Sequence, residues 1–189
     1  AAQKLSRRVE IELASLAMEN TRVEIRVSPA EWSAAGADSV EILLSPNLGE
    51  EPKPLEKIAS GGELSRVALA LKTCVAPARP SKNAMTRTLV FDEVDAGVGG
   101  SAAEAVGRRL KKLASTSQVL CVTHLAQIAG FADHHYRVEK HAERGRTLTT
   151  IEELGPPART REIGRMLSGE RVTPEALRHA EQLLKAAAE

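Results

Sequence analysis

Aromatic side chains are nearly missing from this chain: 189 residues carry one Trp, one Tyr and two Phe. Its core must therefore rest on Leu, Val, Ile and Ala, and no aromatic residues interleave with the basic cluster Arg108, Arg109, Lys111 and Lys112 to stack bases. Cysteine is equally scarce. Cys74 and Cys121 stand far apart without C-x-x-C spacing, which argues against a disulfide framework and fits buried, reduced thiols in a cytoplasmic protein. No apolar run is long enough for a membrane span, and the first residues have no signal-peptide pattern. Charge of one sign is lacking too: a formal net charge of +1 leaves no strong basic footprint for nucleic acid. Nor does G-x-x-x-x-G-K-[ST] occur anywhere, the loop whose amides and lysine cradle nucleotide phosphates. What remains is a chain long enough to bury one modest core, with an ordinary 42% of hydrophobic residues.

Against these absences stands Ala59-Ser60-Gly61-Gly62-Glu63-Leu64-Ser65-Arg66. Ser60 is a good helix N-cap, since its hydroxyl accepts from the orphan N–H groups of the first turn. Glu63 follows at the spacing of a capping box. Leu64, Val67, Ala68, Leu71 and Val75 then recur at helical spacing, which predicts a helix to about Val75, ending before Pro77. Gly61 and Gly62 let the backbone approach a ligand, and the free amides and helix dipole favour an anion there. Two readings are open at this point: a phosphate site, or a capped helix after a flexible loop.

Two further stretches bear on that choice. Thr88-Leu89-Val90-Phe91 reads as a short buried strand, with Asp92 and Glu93 directly at its C-terminal end. In open α/β sheets that edge is where ligands bind. Adjacent carboxylates there can divide the labour, one holding Mg²⁺ through water and the other orienting or deprotonating an attacking water. Val119-Leu120-Cys121-Val122-Thr123 is a second buried-strand pattern, with His124 just past its end. Each element taken alone has a bland reading as solvated acids or a structural histidine. Their order, each ending where a phosphate site needs it, favours the functional one.

The rest of the chain organises around these segments. Leu5, Val9, Leu13 and Leu16 form an apolar stripe among charges, compatible with the last turns of a coiled coil or with an ordinary amphipathic helix. Residues 22–27 and 39–44 read as strands joined by a loop with Pro29 and Gly36, and residues 45–54 as a loop. A helix is predicted over 101–114 with Ala103, Val106, Leu110 and Leu113 on one side. Residues 136–140 and 147–154 pattern as a β-hairpin across Glu143-Arg144-Gly145, closed by Pro156-Pro157. Two helices follow, about 159–167 and 174–188, the second opened by Thr173 as N-cap and Pro174 at N1. Arg108, Arg109, Lys111 and Lys112 cluster on the 101–114 helix, as a solvated face or a DNA-contacting one. His134 and His135, being adjacent, would face opposite ways on a strand, so no zinc site is expected.

Ser60-Gly61-Gly62-Glu63 resembles the signature motif of ABC-type ATPases, Leu89 to Glu93 their Walker B strand, Asp95-Ala96-Gly97 the D-loop and His124 the switch histidine. Glutamate at 63, where transporters usually carry glutamine, points to the SMC-like branch. The fuller run, from Lys57-Ile58-Ala59-Ser60 through Phe91-Asp92-Glu93-Val94-Asp95-Ala96-Gly97-Val98 to Thr123-His124-Leu125-Ala126-Gln127, is similar to the RecN family of bacterial SMC-like DNA-repair proteins. The resemblance implies an α/β fold: the C-terminal lobe of an ABC/SMC-type ATPase head, a mostly parallel sheet flanked by helices. Residues 1–19 would be the end of a coiled-coil helix and 20–189 the lobe.

The resemblance also implies functions for individual residues. Asp92 would position Mg²⁺ through water, Glu93 would be the general base, and His124 would contact the γ-phosphate and the attacking water. Ser60, Gly61, Gly62 and Glu63 would meet ATP held on a second, facing head, and Asp95 would reach across that interface. The expected cofactors are ATP and Mg²⁺. The expected partners are an N-terminal head lobe carrying the lysine loop, a second identical head, and DNA, in the bacterial cytoplasm at the nucleoid. The missing lysine loop predicts a chain inactive by itself. Two alternatives remain beside double-strand break repair and recombination: a head lobe of another SMC or ABC ATPase, or a non-catalytic dimerisation module.

Overall fold

Helix α1 (Ala2–Ala14) turns its stripe inward: Val9 and Leu13 are fully buried, as is Leu16 in the turn that follows. It packs on strand β1 (Arg22–Ser33) and on helix α2 (Gly61–Val75). A carboxylate locks it there, because Glu10 accepts the Val23 N–H at 2.9 Å. A computed structural model describes residues 1–34, 36–57, 60–75, 87–143 and 146–188. Ile58, Ala59, Pro77, Arg144 and Gly145, which enter the sequence readings above, lie outside the described residues. The chain divides into two units, Ala1–Thr123 and His124–Glu189.

In the first unit, β1 (Arg22–Ser33) and β2 (Gly36–Ser45) form an antiparallel ribbon, extended by the two-residue β3 (Lys53–Pro54). Both long strands outrun the sequence reading, which placed Pro29 in a loop. Proline has no N–H to give a ladder, so it is tolerated on an edge strand or at an irregularity. Pro29 meets both conditions: β1 is an edge strand, and the register shifts between Pro29 and Ser33. The ribbon is apolar on one face, buried at its base by Val23 and Leu44 and exposed outward at Val27 and Val40, and Trp32 near the tip is 89% exposed.

Strands β4 (Thr88–Phe91) and β5 (Gln118–Cys121) pair in parallel, joined through α3 (Gly100–Ala114). The α/β class and the helix flanks are as expected. Parallel pairing is confined to this pair among the described strands, because ribbons joined by short turns can only run antiparallel. In α3 the four apolar positions read from the sequence are all buried, with Gly107 among them. In α2 the stripe is rotated. Leu64 and Val75 are exposed, and the buried face is Gly62, Arg66, Val67, Leu69, Ala70, Thr73 and Cys74.

The second unit holds the short α4 (Ala126–Ala129), the hairpin β6 (Tyr136–Glu143) and β7 (Arg146–Glu153), and helices α5 (Pro156–Ser168) and α6 (Pro174–Ala188). Its core gathers Ala126, Ala129, Ile163 and Ala180 against Met166, Leu167, Leu183 and Leu184. Pro156 and Pro157 open α5 rather than close the hairpin, since proline's fixed φ and absent N–H suit the first helical turn. Thr173 caps α6 through the Ala176 N–H at 3.2 Å. One Arg159 nitrogen donates to the carbonyls of Ala129, Gly130 and Ala132, at 3.3, 2.9 and 2.7 Å, and so ties up the open end of α4.

Candidate functional site

The start of α2 and the turn after β4 form one piece of structure. Ser60 caps the helix as read, accepting the Glu63 N–H at 3.4 Å, a long bond, and its carbonyl accepts the Leu64 N–H at 3.0 Å. The first two helical residues are glycines because the 92–97 turn lies against them. A Cβ on Gly61 would run into the Glu93 carboxylate, and a Cβ on Gly62 would come within 2.7 Å of the Ala96 methyl and 3.1 Å of the carbonyl oxygens of Ala96 and Glu93. Side chains reinforce the contact. The Ser65 hydroxyl donates to the Asp92 carbonyl at 2.7 Å, and Arg66 Nη1 donates to the Ala96 carbonyl at 2.6 Å.

Within the turn, the Ala96 N–H returns to the Glu93 carbonyl at 3.0 Å, and one Asp92 carboxylate oxygen accepts the Glu93 N–H at 3.0 Å. Glu93 itself has φ of +56°, the left-handed region that ordinary residues avoid at a cost of about 1–2 kcal/mol. Asp95 points inward. It is 5% exposed and accepts the Thr123 hydroxyl at 2.6 Å. Asp92 and Glu93 are exposed. Negative charge collects here: burial, then Asp95 and Asp92, push the Cys121 thiol up to about 12. A helix N-terminus, partially positive, thus faces a carboxylate-rich turn.

Ser60, Gly61, Gly62, Glu63, Asp92, Glu93 and Asp95 are brought together in the first unit. His124, adjacent in sequence to Thr123, opens the second unit. Among the described residues no group of three or more His, Cys, Asp or Glu is gathered as would hold a metal unaided. Asp92 keeps one carboxylate oxygen outside its bond to Glu93, which fits Mg²⁺ bound by one carboxylate, water and phosphate oxygens. Sequence reasoning missed Ser65, Arg66 and the Thr123 hydroxyl. Arg66 was detectable only by phase, being four residues after Gly62 and four before Ala70 on the buried face.

Comparison with solved structures defines the class. The fold matches the Smc head domain with coiled coil and joint from Pyrococcus yayanosii at TM-score 0.54 and 19% identity, covering 99% of this chain and 29% of that one. It matches the Pyrococcus furiosus Smc head, with an extended coiled coil and bound to the C-terminal domain of ScpA, at TM-score 0.54 and 20% identity, covering 99% and 38%. This is an SMC-head fold. No protein-family model matches the chain. Its sequence relatives are DNA repair proteins RecN: that of Deinococcus radiodurans is 51% identical over 170 residues, 89% of this chain and 29% of the relative. The Streptomyces coelicolor protein is 43% identical, covering 99% and 34%, and the Bacillus subtilis protein 41% identical, covering 98% and 34%. The chain belongs to the RecN family and spans about a third of those relatives' length.

Proposed function

We propose that this segment is the C-terminal lobe of an ATP-hydrolysing RecN head that acts in DNA double-strand break repair and recombination, with ATP sandwiched between two heads. The observation that carries the reading is the seating of Gly61 and Gly62 on the Glu93–Ala96 turn. It couples an anion-favouring helix start to a candidate general base within one close contact. The RecN relatives support the DNA-repair setting. Residues 1–19 would enter the head from a coiled coil, although within the first unit α1 is already a packed amphipathic helix.

In this reading the phosphates are gripped by a lysine loop outside the segment. Ser60 and the amides of Gly61 and Gly62 face the γ-phosphate of ATP on the second head. Glu93 accepts a proton from the attacking water as its oxygen bonds to the γ-phosphorus. The bond to the bridging oxygen breaks, and ADP and inorganic phosphate leave. His124 orients that water. Asp92 would hold Mg²⁺ through water, whose chemistry there is neutralisation of phosphate charge. Asp95 reaches the partner head only after releasing Thr123.

A second reading, the segment as a docking module, draws on β4 and β5. Val90, Leu120 and Val122 share one face and are 67%, 50% and 65% exposed. That face suits the N-terminal lobe in the first reading and a second copy in the other. ATP turnover measured on the segment alone, and again with an N-terminal lobe carrying the lysine loop, separates them. The expected result is negligible hydrolysis alone and recovery on mixing, with Glu93→Gln in the mixture retaining ATP and trapping paired heads while turnover is lost. Turnover by the segment alone, or unchanged kcat in Glu93→Gln, defeats the proposal.

A further inference from the structure

Two consecutive side chains of α2 hold the turn that carries Glu93, one on either side of it. Ser65 binds the carbonyl of Asp92, the residue before, and Arg66 binds the carbonyl of Ala96, three residues after. The Arg66 side is the unusual one. Burying an arginine is expensive, and an apolar residue of similar size would serve packing at lower cost; Arg66 is 6% exposed and its Nε has no hydrogen-bond partner. Burial pulls its pKa below the ordinary value, with Glu63 opposing. Its one strong bond goes to a main-chain oxygen at the far end of the Glu93 turn.

The turn needs holding. A glutamate at φ +56° persists only where its surroundings over-determine it. Beside the turn's own backbone bonds, side chains from outside it contribute, among them Ser65 to Asp92, Arg66 to Ala96, and Thr123 to Asp95. We infer that Arg66 is a positioning residue for Glu93: through the Ala96 carbonyl it fixes where the Glu93 carboxylate sits, and it transmits any displacement of the Ser60-Gly61-Gly62 helix start to that carboxylate. The inference rests on the reading of Glu93 as general base. It adds the link by which a phosphate met at the start of α2 is felt at the base of the same head.

The test uses the full-length protein that contains this segment. Arg66→Met keeps the unbranched apolar stem and removes the donor; Arg66→Lys keeps a cationic donor on a somewhat shorter side chain. The expected result for Arg66→Met is a kcat lowered on the order of tenfold or more, as misplacement of a reacting group does, with the KM for ATP within about twofold. Arg66→Lys restores part of kcat. In a Glu93→Gln background the residual rate of phosphate release, read in a single turnover at high protein concentration, is lowered no further by Arg66→Met, because both changes act through one carboxylate. Unchanged kcat, a loss confined to KM, or losses that add to those of Glu93→Gln overturn the inference. If Glu93→Gln abolishes turnover while Arg66→Met does not, the positioning link alone is wrong; if Glu93→Gln leaves turnover intact, the ATPase reading itself fails. Circular-dichroism melting reports folding. Should Arg66→Met unfold at assay temperature, Ser65→Ala takes its place, with the same split between kcat and KM and the same non-additivity expected, and their absence equally decisive.

Discussion

The Glu93 carboxylate lies where a side chain on Gly61 would begin. The first residue of α2 and the candidate base therefore compete for one volume. The atom in the way is the far end of a flexible side chain, so a methyl group can be accommodated by swinging Glu93 aside. Gly61→Ala should leave the melting midpoint unchanged or slightly raised, since alanine favours the helix. It should lower ATP turnover in the full-length protein on the order of tenfold. A phosphate-release assay beside a circular-dichroism melt checks both halves, and full turnover would remove the contact from the functional account.

Gly62 is a different case. A Cβ there meets the Ala96 methyl at 2.7 Å and two main-chain oxygens at 3.1 Å, none of which can rotate away. Gly62→Ala should destabilise by about 1–3 kcal/mol, the usual cost of overpacking a tight contact. In urea this appears as a lower midpoint at unchanged slope. The order of the two glycines is the sharper forecast: Gly62→Ala loses stability and Gly61→Ala does not.

Ser60 sits at the mouth of the helix, half-buried, with its hydroxyl on the Glu63 N–H. Ser60→Arg removes a cap worth about 1 kcal/mol and fills the approach to the amides. Turnover should vanish while ATP still binds a single head, as read by equilibrium binding of a fluorescent ATP analogue. Normal turnover would contradict a function for this segment in facing ATP.

Acid should weaken the second unit in two stages. Burial lowers the pKa of His135, Arg159 adding to the effect and Glu162 opposing it, and the Arg165 hydrogen bond lowers that of Glu162 against its own desolvation. For both groups the unfolded chain binds the proton more readily, so stability rises with pH across each gap. The His135 contribution is complete above 6.5, its ordinary value, and is lost as pH falls through its depressed pKa. That of Glu162 is complete above 4.5 and is lost further down. Urea midpoints measured from neutral pH downward should fall first below 6.5, and His135→Gln should abolish that first step. A first step of undiminished size in the variant would assign it elsewhere.

Legibility from sequence followed the physics of each element. In α3 the residues at 103, 106, 110 and 113 are apolar and nothing else competes for that face, so periodicity found the core. In α2 the same method chose Leu64 and Val75, which are exposed, over Gly62, Arg66 and Thr73, which are buried. Hydropathy undervalues a glycine chosen for close approach and an arginine chosen to reach a carbonyl. The candidate site was readable as an order of motifs. Its wiring was not, because the Arg66 and Ser65 acceptors are main-chain oxygens 30 and 27 residues away, and any residue type carries such an oxygen. Proline misled twice for one reason: Pro29 and Pro156 occupy the edge-strand and first-turn positions where a missing N–H costs nothing.

The placement of Trp32 has an experimental consequence. It is the only tryptophan in the chain, and it stands almost fully in solvent near the tip of the β1–β2 ribbon. Intrinsic tryptophan emission is therefore nearly blind to melting of the cores beneath α1, α2 and α3, since the indole is already wet in the native state. The same blindness makes it a clean optical reporter: a change in emission at constant fold registers an event at the ribbon tip.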